Sequence, residues 1–197
     1  MRPDLEIIQE WIQPGSRVLD LGCGDGVLLH HLKQHKQVQG YGLEIDSEKI
    51  TACIRKGVNV IEQDLDVKGL SNFRSGSFDT VIMTQALQAV RHPDLILSEM
   101  LRLGKEGVIA FPNFGHWRLR WYLARKGRMP VSSALPYTWY NTPNIHLCTV
   151  NDFEAFCREH NIRIISRRVV DNAHRRRWSI NHWPNLLGQI AIYRITR

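Results

Sequence analysis

The stretch Val18-Leu19-Asp20-Leu21-Gly22-Cys23-Gly24-Asp25-Gly26 runs from a short apolar segment directly into three alternating glycines. The apolar segment predicts a buried strand. The apolar residues that follow the glycines predict a helix beginning near Asp25, which is a favourable residue at a helix start. Glycine tolerates positive φ and lets a ligand lie against the backbone, and the amides of a helix start point at that ligand. The stretch therefore predicts a ligand site built as strand, glycine turn and helix.

The glycine spacing excludes two common classes of nucleotide site. The dinucleotide fingerprint requires its third glycine three residues after the second, where this chain has Val27. A phosphate-binding P-loop requires a Lys-Ser or Lys-Thr pair after its last glycine, and no such pair follows Gly26.

Two further acids follow predicted strands. Glu44 ends the run 39–44 and stands 22 residues after Gly22 (44 − 22), close to the roughly 20 residues expected for an acid that binds a ribose. Asp64 follows the apolar run Val58 to Ile61. Folds with parallel strands bind ligands at the carboxyl ends of those strands. Three acids at three successive strand ends therefore favour a ligand site more strongly than the glycines alone.

Helices and strands alternate along the chain, which predicts an α/β fold with a doubly wound, mostly parallel sheet. The predicted helices cover 4–12, a segment ending near Lys36, Ser47 to Lys56 with Ser47 as N-cap, Pro93 to Arg102, and Val150 to His160 with Thr149 or Asn151 as cap. The later predicted strands are Phe78 to Met83, Gly107 to Phe111, Ile162 to Val170 and Leu186 to Ile195. We expect residues 1–197 to form a single domain.

The alternation is interrupted by residues 113–148, an insertion after the fifth strand that is rich in aromatic and basic residues. His116 to Arg125 fits a short helix in which Trp117 and Trp121 share a face. We expect the insertion to be a lid or a partner-docking region. The run Arg175-Arg176-Arg177 lies between the last two predicted strands and is typical of a solvated loop.

Charge is distributed unevenly over the 197 residues. The net charge is +7, made up of −3 from residues 1–112 (12 basic, 15 acidic) and +10 from residues 113–197 (14 basic, 4 acidic). The basic half suggests an acidic partner or ligand. The sequence has no apolar run of bilayer length and no signal-peptide pattern, so we expect a cytoplasmic protein without membrane contact. Four cysteines without a C-x-x-C pair predict free thiols, and the histidine spacing predicts no metal site.

Several segments carry a family resemblance. The Asp-x-Gly-x-Gly-x-Gly pattern from Asp20 resembles motif I of the class I S-adenosylmethionine-dependent methyltransferases. Five blocks together resemble the methionine-biosynthesis family MetW: 19–26, 41–46, 63–66, 111–117 and 135–146. The resemblance implies a seven-stranded Rossmann-like sheet whose last strand is antiparallel, and S-adenosyl-L-methionine or S-adenosyl-L-homocysteine as cofactor.

The resemblance also implies the cofactor contacts. Asp20 would lie by the methionine end, the glycines under the ribose, Glu44 on the ribose hydroxyls, and Asp64 by the adenine amine. The full predicted cofactor set is Asp20, Gly22, Cys23, Gly24, Asp25, Gly26, Glu44, Ile45, Asp64, Leu65 and Thr84. The implied partner is a homoserine O-acyltransferase of the MetX type.

Three functions stay open. The first is a cofactor-binding regulatory partner of the acyltransferase, favoured because the sequence has a complete cofactor motif and no evident catalytic group. The second is an active methyltransferase on a small carboxylate-bearing acceptor. The third is an RNA methyltransferase. It is ranked last because no RNA-binding module accompanies the basic residues, which disfavours nucleic acid as a partner. The residues expected to meet substrate or partner are His116, Trp117, Arg120, Trp121, Tyr137, Tyr140 and His146.

Overall fold

The computed structural model describes residues 3–132, 135–171 and 178–197. These residues form a seven-stranded sheet flanked by helices. The strands are β1 (Arg17–Leu21), β2 (Gln39–Glu44), β3 (Asn59–Glu62), β4 (Phe78–Thr84), β5 (Gly104–Pro112), β6 (Arg163–Val170) and β7 (Ile190–Thr196). The helices are α1 (Pro3–Trp11), α2 (Val27–Lys36), α3 (Ser47–Arg55), α4 (Leu65–Lys68), α5 (Pro93–Leu103), α6 (Trp117–Lys126), α7 (Val150–Glu159), α8 (Trp178–His182) and α9 (Pro184–Leu187).

The strand order is β3-β2-β1-β4-β5-β7-β6. Strands β1 to β5 pair in parallel, whereas β7 lies antiparallel between β5 and β6. The predicted doubly wound, mostly parallel sheet of seven strands, with an antiparallel last strand, is therefore confirmed. Because the parallel strands all end at one edge, that edge collects the residues that follow them.

Alternate residues of the central strands point to opposite faces of the sheet, and each face has its own buried cluster. In β5, Ile109 and Phe111 pack with residues of α5 and α7. Val108 and Ala110 pack on the other face with residues of α1, α2 and α3. Helices on both faces explain why the strands read as continuous apolar runs.

Several predicted element boundaries are wrong. Asp46, not Ser47, caps α3, because the extended Asp46 accepts hydrogen bonds from the N–H groups of Glu48 and Lys49. Gly26, not Asp25, is the N-cap of α2, and its φ of 74° makes the turn into the helix. The last strand begins at Ile190 instead of Leu186, because residues 184–187 form α9 with Pro184 in its first turn.

The insertion after β5 contains α6 and is anchored by Asn113, which is buried. Asn113 Nδ2 donates to the carbonyls of Asn185 and Gly188, at 3.0 and 2.8 Å. Its Oδ1 accepts from the N–H groups of Gly115 and Val150, at 3.0 and 3.2 Å. One amide side chain therefore joins both ends of the insertion to the segment before β7.

The run Arg175 to Arg177 lies outside the described residues. In the described ranges, no helix combines the length and the apolar character that crossing a bilayer would require.

Candidate functional site

The glycine loop between β1 and α2 lies against the end of β2. The N–H groups of Gly22 and Cys23 both donate to the carbonyl of Leu43, at 2.9 and 3.0 Å. In the register of the sheet, Leu21 of β1 lies beside Leu43 of β2, and Asp20 of β1 lies beside Ile82 of β4. The residues that follow β1, β2 and β4 therefore meet at one edge of the sheet.

Glu44 links this edge to the loop. One carboxylate oxygen accepts from the Gly24 N–H at 2.8 Å, and the other accepts from the N–H groups of Ile45 and Asp46, at 2.9 and 3.1 Å. The residue is 7% exposed. A carboxylate has about four acceptor positions, so Glu44 is oriented by the backbone and retains acceptor capacity for hydroxyl donors of a ligand.

The loop exposes bare backbone on its open side. Gly22 and Gly24 have φ values of 72° and 58°, which glycine adopts without strain. A Cβ built on Gly24 would meet no atom within 4 Å. We call this open space beside the Gly24 backbone, which a side chain would occupy, the cradle. Gly26 serves packing instead, because a Cβ there would lie 2.8 Å from Cys53 Sγ.

The Cys23 side chain faces the protein interior. Its sulfur lies 3.9 Å from that of Cys53, and burial raises the pKa of both thiols. Gly42 of β2 makes room for it, because a Cβ at Gly42 would lie 2.4 Å from Cys23 Sγ. Cys23 therefore offers a ligand its backbone, and Gly42 is a residue whose role the sequence analysis missed.

Two predicted cofactor acids have structural partners. Asp25 is exposed and forms an ion pair with Lys56 Nζ at 2.6 Å, and this bond lowers the pKa of Asp25. Asp64 caps α4 by accepting from the Asp66 N–H at 2.8 Å. Asp64 also follows β3, which is the strand beside β2, so it lies farther along the same edge of the sheet than Glu44.

The other predicted cofactor residues are spread along this edge. Asp20 is buried in β1, and Thr84 is half-buried at the end of β4. Ile45 is 59% exposed beside Glu44, whereas Leu65 opens α4 and packs partly on the core. The structure thus brings the loop, Glu44 and the ends of β1 and β4 together, with Asp64 and Leu65 farther along.

The predicted substrate or partner residues differ in their contacts and exposure. His116 is the N-cap of α6, with Nδ1 accepting from the Arg118 N–H at 3.3 Å, and burial lowers the pKa of its imidazole. Arg120 Nε donates to the Gly115 carbonyl at 2.5 Å. The His146 ring lies 3.3 Å from the Arg91 carbonyl. The exposed aromatic residues of the set are Trp117, Trp121, Tyr137 and Tyr140.

Comparison with known proteins identifies the family. The family model described as "Methionine biosynthesis protein MetW" matches residues 2–195. This chain belongs to the MetW family. The fold and the glycine loop described above are therefore those of a MetW protein of methionine biosynthesis.

Curated relatives extend the comparison. The MetW chain is 35% identical over 198 aligned positions to the "Bifunctional methionine biosynthesis protein MetXA/MetW" of Rhodopirellula baltica, covering 96% of this chain and 32% of that protein. It is 33% identical over 107 positions to the "Ubiquinone biosynthesis O-methyltransferase" of Bordetella avium, covering 50% of this chain and 44% of that enzyme. The chain thus spans less than half the length of either relative.

Solved structures agree on the fold of this MetW protein. An S-adenosylmethionine-dependent methyltransferase from Archaeoglobus fulgidus superposes with a TM-score of 0.68 at 15% identity, covering 100% of this chain and 92% of the other. One from Mesorhizobium loti gives 0.68 at 18% identity, covering 99% and 96%. At these identities the likeness establishes a methyltransferase fold.

Proposed function

We propose that the chain binds S-adenosyl-L-methionine, or S-adenosyl-L-homocysteine, at the edge formed by the glycine loop and Glu44. The cradle beside Gly24 supports this, because a ribose needs close approach to backbone there. Glu44 would accept from the ribose hydroxyls, and Asp20 would lie by the methionine end. When bound, S-adenosyl-L-methionine would supply an electrophilic methyl group on its sulfonium. The chain's own residues bind and orient it.

We further propose that this chain acts in methionine biosynthesis as a regulatory partner of a MetX-type homoserine O-acyltransferase. The observation that carries this proposal is the Rhodopirellula baltica relative, whose name joins MetXA and MetW in one polypeptide. Fusion places the two units at high effective concentration, which is useful when they act together.

The insertion offers a surface suited to such a partner. We call the exposed aromatic residues of 117–140 the insertion surface: Trp117, Trp121, Tyr122, Tyr137, Trp139 and Tyr140. The Arg118 guanidinium lies 5.4 Å from the centre of the Trp117 ring. Trp, Tyr and Arg are the residue types enriched at energetically important interface positions.

The deciding experiment measures homoserine acylation by the MetX-type enzyme alone, with this protein, and with this protein plus cofactor. We expect the rate to rise on adding the protein and to change again with cofactor. If the cofactor alters the affinity for the partner, linkage requires saturating partner to alter cofactor affinity by the same factor. An unchanged rate in all three conditions, with cofactor binding demonstrated by calorimetry, contradicts the regulatory role.

A second candidate is methyl transfer to a small acceptor. Its support is the similarity to the O-methyltransferase of Bordetella avium over half of this chain. The test is transfer of tritium from labelled cofactor to a panel of metabolites and proteins, with and without the MetX-type enzyme. A silent panel would rule this activity out for the acceptors tested, whereas labelled product would make the protein an enzyme.

A further inference from the structure

Helix α6 buries almost none of its residues. Leu119 is 8% exposed, and each of the other residues of Trp117–Lys126 is exposed. Helix α5 is one residue longer and buries five residues in the core. Because packing on the rest of the protein supplies most of the stability of a helix, α6 gains little from its own chain. Most of its surface is therefore available to a partner.

The two ends of α6 are nonetheless fixed. The buried His116 caps its start, and the ring Nδ1 accepts from the Arg118 N–H at 3.3 Å. At the other end, Gly127 adopts a φ of 59° and donates its N–H to the Leu123 carbonyl at 2.9 Å. The helix is therefore preformed, which reduces the ordering cost of binding a partner.

One side of α6 carries two exposed tryptophans and an alanine. At 3.6 residues per turn, Trp117, Trp121 and Ala124 stand at positions i, i+4 and i+7 and share one face. We call these three residues the outer face. The tryptophans are 44% and 61% exposed, and Ala124 is exposed as well. Leu119 lies on the opposite side, where it packs on the protein. Anchors with this spacing are typical of an amphipathic helix that binds in an apolar groove of a partner.

The segment that carries the outer face has only positive charge. Residues 113–151 contain no Asp or Glu, whereas Arg118, Arg120, Arg125 and Lys126 lie in α6. Arg118 and Arg125 are seven positions apart (125 − 118) and follow one side of the outer face. Within the described ranges, no ion pair joins either of them to an acid. Acidic side chains on a partner would complement these charges and speed association.

The apolar side chains near α6 favour a protein as the partner. Leu123, Met129 and Val131 are 40%, 41% and 51% exposed, and such side chains offer no aromatic stacking surface to a nucleobase. Residues 1–112 carry a net charge of −3, which disfavours a polyphosphate near this chain. The Rhodopirellula baltica relative carries both MetXA and MetW in its name. These observations favour the MetX-type enzyme over nucleic acid.

We propose that α6 is the helix that docks on the MetX-type enzyme, and that it binds there in an apolar groove bordered by Asp and Glu residues. Trp117 and Trp121 fill the groove, and the small Ala124 lets the groove wall approach the helix backbone. Arg118 and Arg125 pair with the acids on the rim. This inference rests on the proposed partnership and adds the docking helix, its orientation and the chemistry of the partner's surface.

Arg125→Glu tests the charge part of the proposal. Isothermal titration calorimetry measures the dissociation constant of the complex with the MetX-type enzyme at about 50 mM and at about 500 mM NaCl. At the lower salt concentration, Arg125→Glu should raise the dissociation constant about tenfold or more, because it places like charges together. At the higher concentration, the difference from wild type should shrink to about threefold or less, because salt screens exposed charges.

The matched control is Arg163→Glu, which changes the net charge by the same amount. Arg163 is exposed and begins β6 beside Thr196, at the end of β7. The insertion follows the opposite end of the sheet, where Pro112 lies beside Ile190 at the start of β7. Arg163→Glu should therefore change the dissociation constant less than about twofold at either salt concentration.

Substitutions at Ala124 test the close fit of the groove. Ala124→Gln adds a long side chain to the outer face without changing the charge, and it should raise the dissociation constant about tenfold by overpacking the contact. Ala124→Ser keeps the residue small and should bind within about twofold of wild type. Both substitutions are compatible with an exposed helix position, and circular dichroism verifies that each variant is folded.

The outcomes separate this inference from the partnership on which it rests. A wild-type protein that neither binds nor activates the MetX-type enzyme overturns both. If the wild type binds but Arg125→Glu and Arg163→Glu behave alike, or Ala124→Gln binds as tightly as Ala124→Ser, α6 is not the docking helix and the partnership stands. Arg125-dependent binding to single-stranded RNA or to phosphatidylglycerol vesicles, at concentrations where the enzyme does not bind, would overturn the inference by assigning α6 to nucleic acid or to a membrane surface.

Discussion

Gly24 combines a left-handed backbone with empty space where a side chain would stand. A valine there would strain the backbone and would also occupy the cradle beside the loop. We expect Gly24→Val to abolish binding of S-adenosyl-L-methionine in a calorimetric titration.

Gly57 provides the matched control for this substitution. Its φ is 69° and a Cβ there also meets nothing within 4 Å, but it lies beyond α3 and outside the predicted cofactor residues. Gly57→Val should therefore lose stability to backbone strain while keeping its cofactor affinity within about twofold. Equal affinities in both variants would show that the glycine loop does not hold the cofactor.

Protonation of the Asp79 carboxylate makes the stability of the fold depend on pH. It accepts from the Arg17 N–H at 2.9 Å and from Lys105 Nζ at 2.8 Å, and these bonds lower its pKa from 3.8 to about 2. A depressed pKa stabilises the fold above pH 4, and this stabilisation is lost as the pH falls towards 2. We expect Asp79→Asn to cost about 1 kcal/mol at pH 7, since Lys105 is well exposed.

Urea unfolding at several pH values checks this expectation. The difference in unfolding free energy between wild type and Asp79→Asn should be constant above pH 5 and should shrink between pH 4 and 2. A difference that persists unchanged at pH 2.5 would assign the effect to packing instead of charge.

At the scale of elements, α7 begins with a capping box. Thr149 Oγ1 accepts from the Asp152 N–H at 3.2 Å, and Asp152 accepts from the Thr149 N–H at 3.1 Å. Thr149→Ala should lower the free energy of unfolding by about 1 kcal/mol. Asn151, the other residue that the sequence allowed as cap, is exposed inside the helix, so Asn151→Ala should change stability by less than about 0.5 kcal/mol. If urea unfolding shows a larger loss of unfolding free energy for Asn151→Ala than for Thr149→Ala, Thr149 is not the cap.

Helix α6 presents the part of the insertion surface best suited to a partner test. Trp121 is 61% exposed, and Trp183, outside the insertion, is 60% exposed. If the insertion surface docks on the MetX-type enzyme, Trp121→Ala should raise the dissociation constant of the complex about tenfold or more. Trp183→Ala should change it less than twofold. Surface plasmon resonance with the two variants separates docking from a general effect of removing an exposed tryptophan.

Helix boundaries were predictable where hydrophobic periodicity and capping residues agree. They were less predictable where two neighbouring residues could each serve as the cap. The sequence predicts α2 to end near Lys36 and α7 to begin at Val150, as observed. Asp46 and Ser47 are both good caps, and only the backbone geometry selects the first. Strand β5 begins at Gly104 because pairing with β4 extends it through residues that otherwise favour a turn.

The candidate site, too, was predictable only where the signal lies in the local sequence. The spacing of Glu44 from Gly22 predicts an acid at the edge, because spacing along a strand-helix-strand unit is a local property. That the Glu44 carboxylate binds the Gly24 N–H could not be predicted, since the contact depends on how the loop folds back over β2.

For the whole molecule, cofactor binding should raise global stability by mass action. A ligand that binds only the folded chain adds about 2.7 kcal/mol at a concentration one hundred times its dissociation constant. For a chain of this length, that corresponds to a rise of roughly 5–10 °C in melting temperature. Differential scanning fluorimetry with S-adenosyl-L-methionine measures the shift. Gly24→Val should show none, and a wild-type melting temperature that stays constant would contradict cofactor binding.

Strand β7 is synthesised after the other six strands, yet it occupies the place between β5 and β6. Every strand of the half-sheet beside the glycine loop, β3-β2-β1-β4-β5, has been translated by residue 112. During synthesis, β6 has no sheet neighbour until Ile190–Thr196 leaves the ribosome, and Phe111 lacks the stacked ring of Tyr193. Because the chain emerges from its N-terminus, the strands beside the glycine loop are all on the nascent chain well before the sheet closes.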